Sequence, residues 1–193
     1  MTEQELKIYK EWGLHLIPLK DDTKKPVSKP YWKKNGTGKF ERHDSWKFDE
    51  HGDFLKFSDE ELLKAQRVAV NHEACSVIDV DCDAVEGSQF MSEFPETLTI
   101  GKKVNGSTYI RKKIYKYDGV TEHKSFGSKE TGAVIENLAH TQSWLFGDGR
   151  ITLNNVKPIT LSNDQYKRLK ESVREVYALT MLARLYPKKD TFR

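Results

Sequence analysis

The alternation of apolar and polar residues along the chain predicts a series of short strands, because an apolar residue at every second position suits a strand with one face buried. Short continuous apolar runs predict strands that are buried on both faces. The Asn105-Gly106 dipeptide between two such segments predicts a tight hairpin turn. The predicted strands are Leu14–Leu19, Arg67–Asn71, Ser76–Val80, Thr97–Lys103, Ser107–Tyr115, Ala133–Glu136, Ser143–Phe146 and Arg150–Leu153.

Helices are predicted where apolar residues recur at helical spacing behind a capping signal. Two capping boxes begin at Ser58 and Ser162, each with Glu or Gln three residues later. The predicted helices are Gln4–Trp12, a helix from Ser58 to about Gln66, Val85–Phe94, and a long helix from Ser162 that ends before Pro187. Lys20–Gly38 is basic and rich in turn residues, which predicts a loop. These elements predict an α+β domain with a mixed or antiparallel sheet, closed by a C-terminal helix.

Composition narrows the classes of protein that fit. The 193 residues contain 37% hydrophobic and 32% charged residues, with a net charge of +3. Cys75 and Cys82 are the only cysteines, so neither a disulfide framework nor a Cys-x-x-Cys zinc site is indicated. No apolar stretch in the sequence is long enough to span a bilayer, and a reducing cytoplasmic setting without a membrane partner is expected. Basic residues concentrate in 20–39 and 102–116.

Two aspartates separated by one residue stand at the end of the apolar run Ser76–Val80. Because side chains alternate along a strand, Asp79 and Asp81 point to the same side. Two neighbouring carboxylates repel each other, and a cation between them, Mg²⁺ or Mn²⁺, would relieve the repulsion. Such pairs serve phosphoryl or nucleotidyl transfer with two metal ions. The alternative is a solvated strand end. A calcium-binding EF-hand is excluded, because Ala84 and Phe90 stand where that loop needs Gly and Glu.

Two further features follow the acid pair in sequence. The first is the hairpin Lys103–Arg111, whose backbone N–H groups and hydroxyls could hold a triphosphate. The second is the strand Ala133–Glu136, which brings a third carboxylate that could complete a two-metal site. Basic segments around an acidic pocket suit a site that handles a polyanion, although solvated loops would have the same composition.

This order of motifs resembles the archaeo-eukaryotic primase superfamily, specifically the primase–polymerase (prim-pol) domain of phage and plasmid replication proteins. The family carries an acid-x-acid motif, a Ser-x-His type motif on a hairpin, and a third acid after an apolar strand. The stretch Gly13–Leu19, then Lys24-Lys25-Pro26 and Trp32, is similar to the family's opening pattern. Arg67–Asn71 before the acid strand is similar too. The resemblance covers roughly residues 12–153.

The resemblance implies a primase-like catalytic core, with an RRM-like half, in residues 1–160, and a helical extension in 161–193 that leads into further domains. It implies template-directed nucleotidyl transfer, as a DNA primase or DNA polymerase with a two-metal mechanism, in a bacterial host by a phage- or plasmid-encoded enzyme. Asp79, Asp81 and Glu136 would be the catalytic, metal-binding residues. The implied partners are single-stranded or primed DNA, dNTP or NTP, and a helicase domain or protein.

Nucleotide and DNA contacts are expected from polar and basic residues around these motifs. The nucleotide-binding candidates are Lys103, Asn105, Ser107, Thr108, Lys124, Lys129 and His140. The DNA-binding candidates are Lys24, Lys25, Lys29, Trp32, Arg111 and Lys112. One departure from the family concerns the hairpin, where Ser107 or Thr108 stands in place of the motif histidine. His123 or Lys124 on the following loop could substitute for it.

Two other interpretations remain open from the sequence. The first is a single-stranded DNA-binding or replication-initiator module that kept the fold and lost the chemistry, which the missing histidine favours. The second is a metal-dependent nuclease, which would use similar acids and would ignore nucleoside triphosphates.

Overall fold

The computed structural model describes residues 1–21, 23–127 and 141–186, together with the backbone of Ile135–Leu138. Within these ranges the helices are α1 (Glu3–Glu11), α2 (Asp59–Lys64), α3 (His72–Cys75), a 3-10 helix (Glu86–Glu93) and α4 (Asn163–Leu185). The strands are β1 (Leu16–Pro18), β2 (Lys29–Lys34), β3 (Phe40–Ser45), β4 (Val68–Asn71), β5 (Val77–Cys82), β6 (Leu98–Val104), β7 (Ser107–Lys116), β8 (Lys124–Phe126), β9 (Ile135–Leu138), β10 (Gln142–Phe146) and β11 (Arg150–Thr152).

The strands form two sheets and a separate ribbon. The larger sheet has the order β11-β6-β7-β5-β9-β8, and the smaller sheet has the order β1-β4-β10. The ribbon consists of β2 and β3. All of the described strand pairs are antiparallel. The predicted α+β class, with antiparallel sheets and a C-terminal helix, is therefore confirmed.

The hairpin between β6 and β7 has the predicted turn. Asn105 and Gly106 have positive φ angles of 49° and 82°, and Val104 pairs with Ser107 across the turn. A two-residue turn of this kind matches the twist of the flanking strands and needs residues that tolerate positive φ. The turn fixes the register of the hairpin as far as the Gly101–Ile110 pair. The register then shifts, so that Lys112 lies opposite Ile100 of β6 and opposite Asp81 of β5.

Side-chain alternation on β5 separates two hydrophobic clusters. Ile78, Val80 and Cys82 pack in the cluster that contains the buried residues of α4. Val77 points the other way, into the cluster that contains the residues of β1 and β4. Because Asp79 and Asp81 share the side of Val77, both carboxylates face the smaller sheet.

The C-terminal helix packs against the large sheet. Tyr166, Leu169, Val173 and Val176 are buried in the same cluster as Ile78 of β5. Its predicted start is confirmed, since Ser162 and Gln165 form a capping box. The domain boundary expected near residue 160 thus falls within one hydrophobic cluster. None of the helices in the described part of the chain is long and apolar enough to cross a membrane.

One prediction of local structure was wrong, and one helix is of a different type from an α-helix. The predicted loop Lys20–Gly38 contains β2, which pairs with β3. Most of this ribbon is exposed, so its sequence lacks the apolar alternation by which strands are recognised. The predicted helix Val85–Phe94 is a 3-10 helix, Glu86–Glu93, and its N-cap residue Val85 makes no side-chain hydrogen bond to the first turn.

Candidate functional site

The acid pair lies at the border between the two sheets. Asp79 is completely buried, whereas the side chain of Asp81 retains 20% of its exposure. The two residues are adjacent on one side of β5, as the sequence predicts. Asp81 therefore opens toward solvent, and Asp79 lies beneath it.

A buried lysine joins the two carboxylates. Lys112 lies on β7 directly opposite Asp81, and its side chain is only 4% exposed. Its Nζ atom donates to Asp79 Oδ2 at 2.9 Å and to Asp81 Oδ2 at 3.2 Å. Each contact is an ion pair as well as a hydrogen bond. The ammonium relieves the repulsion for which a metal ion is expected from sequence.

A second chain of hydrogen bonds reaches Asp79 from the smaller sheet. The Ser143 hydroxyl of β10 donates to Asp79 Oδ2. His72 Nε2 lies 2.6 Å from the same hydroxyl oxygen. Because Ser143 gives its one proton to the carboxylate, the His72 Nε2–H must donate to Ser143. Asp79 Oδ1 is buried and has no hydrogen-bond partner within the described ranges.

Burial governs the protonation of this pair. Desolvation raises the pKa of Asp79 from 3.8 to about 6, and the neighbouring Asp81 carboxylate adds to this rise. Lys112 and Ser143 act in the opposite direction without cancelling it. Burial would favour the neutral amine of Lys112, but Asp79 and Asp81 outweigh this effect and raise the pKa of Lys112. At neutral pH the lysine is charged and Asp79 is ionised.

The backbone register brings the third predicted acid to the same row. Asp81 pairs with Lys112 on one side and with Glu136 of β9 on the other. The Cα positions of the three residues thus lie across three neighbouring strands. The side chain of Glu136 lies outside the described part of the structure.

A cavity of about 360 Å³ opens beside Asp81. It is lined by two carboxylates, by three side chains with basic nitrogens and by three other residues, which are Asp81 and Asp83, Lys24, His123 and Arg150, and Thr141, Gln142 and Trp144. Carboxylates together with lysine, histidine and arginine nitrogens suit a ligand that carries both phosphates and a bound cation.

Cationic side chains surround the Trp144 ring. The Arg150 guanidinium lies 4.2 Å from the ring centroid, Arg67 lies 5.3 Å from it, and the Lys24 ammonium lies 5.8 Å from it. Arg150 Nη1 also donates to Asp148 Oδ2 at 3.2 Å. The sequence gives no signal for Arg150, because it reaches the cavity from β11, far along the chain from Asp81.

The predicted nucleotide-binding residues are scattered. Lys103, Asn105, Ser107 and Thr108 are exposed near the β6–β7 turn and are not among the residues that line the cavity. Ser107 is five residues from Lys112 along β7, a separation of roughly 17 Å.

The remaining nucleotide-binding candidates lie after β7. Lys124 is exposed on β8, an edge strand. Lys129 and His140 lie outside the described residues. His123, which the sequence offers as a substitute for the motif histidine, lines the cavity with Asp81.

The predicted DNA-binding residues also separate into groups. Lys24 lines the cavity, and its neighbour Lys25 is exposed without lining it. Lys29 pairs with Glu61 at 2.8 Å, and Trp32 is 58% exposed on the β2–β3 ribbon.

Arg111 and Lys112 do not lie on an open basic surface. Arg111 forms an ion pair with Asp83, and its side chain is 13% exposed. The assignment of Lys112 to DNA binding is corrected, because its ammonium is buried against Asp79 and Asp81.

The donor set fits one divalent ion better than two. Asp81 offers a carboxylate at the cavity, and Asp79 Oδ1 is a buried oxygen without a described partner. Oxygen ligands of this kind suit Mg²⁺ or Mn²⁺. The position between the two Oδ2 atoms is taken by Lys112. Among residues with described side chains, no group of three or more His, Cys, Asp or Glu is arranged to hold a metal.

No protein-family model matches the chain, and no curated protein sequence matches it.

The raised pKa of Asp79 predicts a pH dependence of stability. The folded state holds the Asp79 proton up to about pH 6, whereas the unfolded state releases it near pH 3.8. Between these values the folded state binds more protons, so this contribution to the free energy of unfolding falls as pH rises. The free energy of unfolding of the wild type, minus that of Asp79→Asn, should therefore fall by about 1–3 kcal/mol between pH 4 and pH 7.

Urea unfolding of both proteins in EDTA, at several pH values, measures this difference. The raised pKa of Asp79 would be contradicted if the wild type kept or gained stability relative to Asp79→Asn as the pH rose.

Proposed function

We propose that the protein is a template-directed nucleotidyltransferase, a DNA primase–polymerase of the archaeo-eukaryotic primase type from phage or plasmid replication. The observation that carries the proposal is the cavity that Asp81 lines together with Lys24, His123 and Arg150. Nucleotidyl transfer needs a cation-binding carboxylate beside groups that neutralise a triphosphate. The order of the sequence motifs, the α+β fold with antiparallel sheets, and the placement of Glu136 opposite Asp81 support the same proposal.

The incoming dNTP or NTP would lie in the cavity with its phosphates against Lys24, His123 and Arg150. Arg150 is held against Trp144 and Asp148, which limits its rotamers and orients the guanidinium. Lys24 is held at its backbone, because its carbonyl accepts a hydrogen bond from Gln142 Nε2 at 2.7 Å. His123 would provide the contact that the family's motif histidine makes. The hairpin residues Lys103–Thr108 would contact template or primer instead of the nucleotide, because Ser107 lies roughly 17 Å along β7 from Lys112 at the acid pair.

Asp81, with Asp79 and Glu136, would hold the catalytic divalent ion. When bound, Mg²⁺ or Mn²⁺ supplies charge neutralisation to the triphosphate and lowers the pKa of the attacking 3′-hydroxyl. Lys112 and Ser143 keep the Asp79 carboxylate ionised and in one orientation. Asp81 is thereby left as the accessible member of the pair.

The exposed ribbon would hold the single-stranded template. Trp32 pairs with Arg42 and Lys34 pairs with Phe40, so these four residues share one side of the ribbon. Trp32 is 58% and Phe40 is 62% exposed. Aromatic rings beside cations suit single-stranded nucleic acid, because bases stack on the rings and phosphates meet the charges.

A non-catalytic single-stranded DNA-binding module is the second candidate. It is favoured by Lys112, which already neutralises the buried acid pair in the way a metal ion would. This module would bind DNA through the same ribbon and would not extend a primer.

Primer extension on a primed DNA template with dNTPs and Mg²⁺ or Mn²⁺ tests the enzyme directly. We expect extension by the wild type, and a loss of at least about 100-fold in Asp81→Asn, since the accessible carboxylate is gone. Asp59→Asn is the matched control, because Asp59 is an exposed aspartate that pairs with Lys10 in α1.

Three outcomes would contradict the proposal. Equal primer extension by the wild type and Asp81→Asn would mean that Asp81 is not part of the active site. DNA binding without extension by the folded wild type would favour the binding module. Shortened DNA in place of extended primer would indicate a nuclease.

Substitutions on the two sides of the ribbon test template binding. Trp32→Ala should weaken binding to a labelled oligodeoxythymidine by about 1–3 kcal/mol, because a stacking contact is lost. Lys34→Ala should weaken the same binding somewhat less, because only a charge is lost. Lys33→Ala is the matched control, because Lys33 precedes Lys34 on the opposite side and pairs with Glu41.

Fluorescence anisotropy at one fixed salt concentration measures the affinities. Equal losses in Lys33→Ala and Lys34→Ala would mean that general charge, and not one side of the ribbon, attracts the DNA.

A further inference from the structure

The position of Lys112 is set by the sheet and not by a flexible loop. Its backbone pairs with Asp81 in the β5–β7 ladder. Its side chain is 4% exposed and reaches both Asp79 Oδ2 and Asp81 Oδ2, at 2.9 Å and 3.2 Å. A cation that bridged the two carboxylates would have to occupy the same place as this ammonium.

The two carboxylates differ in the oxygen atoms that they leave open to a metal ion. Ser143 donates to Asp79 Oδ2, so that oxygen already accepts two hydrogen bonds. Asp79 Oδ1 is buried and lacks a partner in the described part of the chain. Asp81 is the carboxylate that lines the cavity. An ion can reach Asp81 from the cavity, whereas a second ion between the carboxylates would meet a fixed positive charge.

We propose that Lys112 is a built-in cation that takes one of two positions that divalent ions hold in a two-metal site. The protein then binds one divalent ion, on the cavity side of Asp81, and Lys112 is a positioning residue for the acid pair. The inference rests on the proposed function, because it concerns the metal site of that same active centre. It adds that the site is built for one exchangeable ion and not for two.

Counting bound Mn²⁺ tests the inference without any measure of activity. Loss of the free Mn²⁺ signal in electron paramagnetic resonance gives the number of ions bound and their affinity. We expect one ion per wild-type chain and two per Lys112→Met chain, because removal of the ammonium opens the bridging position. Asp81→Asn should weaken the wild-type ion at least tenfold.

Lys113→Met is the matched control. Lys113 is the next residue on β7, is also buried, and donates to the Phe94 and Pro95 carbonyls at 2.8 and 3.2 Å. It points away from the acid pair, so its loss should leave one ion bound. If Lys113→Met also bound a second ion, the second ion in Lys112→Met would reflect general destabilisation, and the inference would be overturned.

Folding of Lys112→Met provides a second readout, because this variant leaves two carboxylates without their cation. Mn²⁺ should raise its melting temperature more than that of the wild type, since an ion that binds only the folded state stabilises it. A variant that unfolds in EDTA and folds in Mn²⁺ supports the inference. A variant that stays unfolded in Mn²⁺ counts against it, because an ion then does not replace the ammonium.

The wild-type count is decisive in its own right. Two ions on the wild type, or none, would overturn the inference, as would an equal count in folded wild type and Lys112→Met. Failure of the proposed function gives a different result. One ion on the wild type and two on Lys112→Met, without primer extension, would retain the inference and reject the polymerase.

Discussion

The buried ion pair between Lys112 and Asp79 constrains the rest of the structure. Burial of a charge is costly unless the charge is paired and hydrogen-bonded, and loss of one partner of such a pair typically costs about 3–5 kcal/mol. Asp79 meets this requirement through Lys112 from β7 and Ser143 from β10. These two donors belong to different sheets. The carboxylate therefore fixes how the two sheets approach each other, and a displacement of either sheet would leave a buried charge unpaired.

The same pair sets the position of Asp81 beside the cavity. Since Asp79 takes the buried position, Asp81 two residues later reaches the cavity. The register of β5 then sets what stands beside it, Lys112 on one side and Glu136 on the other. The cationic residues that line the cavity come from segments far apart in the chain, with Lys24 before β2 and Arg150 on β11. Stability and site geometry thus depend on one ladder of strands.

Local signals in the sequence predicted much of the fold and part of the site. Asp79 and Asp81 share one side because a strand has a period of two, and the Asn105-Gly106 turn follows from the need for positive φ. The partner of the acid pair could not be predicted, because the pairing of Lys112 with Asp81 depends on which strands become neighbours. The ribbon was missed for a related reason. Its two strands stabilise each other and bury little apolar surface, so no hydrophobic pattern marks them.

A crystal structure with Mn²⁺ and a non-hydrolysable deoxynucleoside triphosphate, in which anomalous scattering locates the metal, tests the single-ion site most directly. We predict a single Mn²⁺ peak next to Asp81. The phosphates should lie toward Lys24, His123 and Arg150, and Lys112 should still bridge Asp79 and Asp81. A nucleotide bound elsewhere, or a metal ion between the two carboxylates with Lys112 displaced, would contradict this prediction.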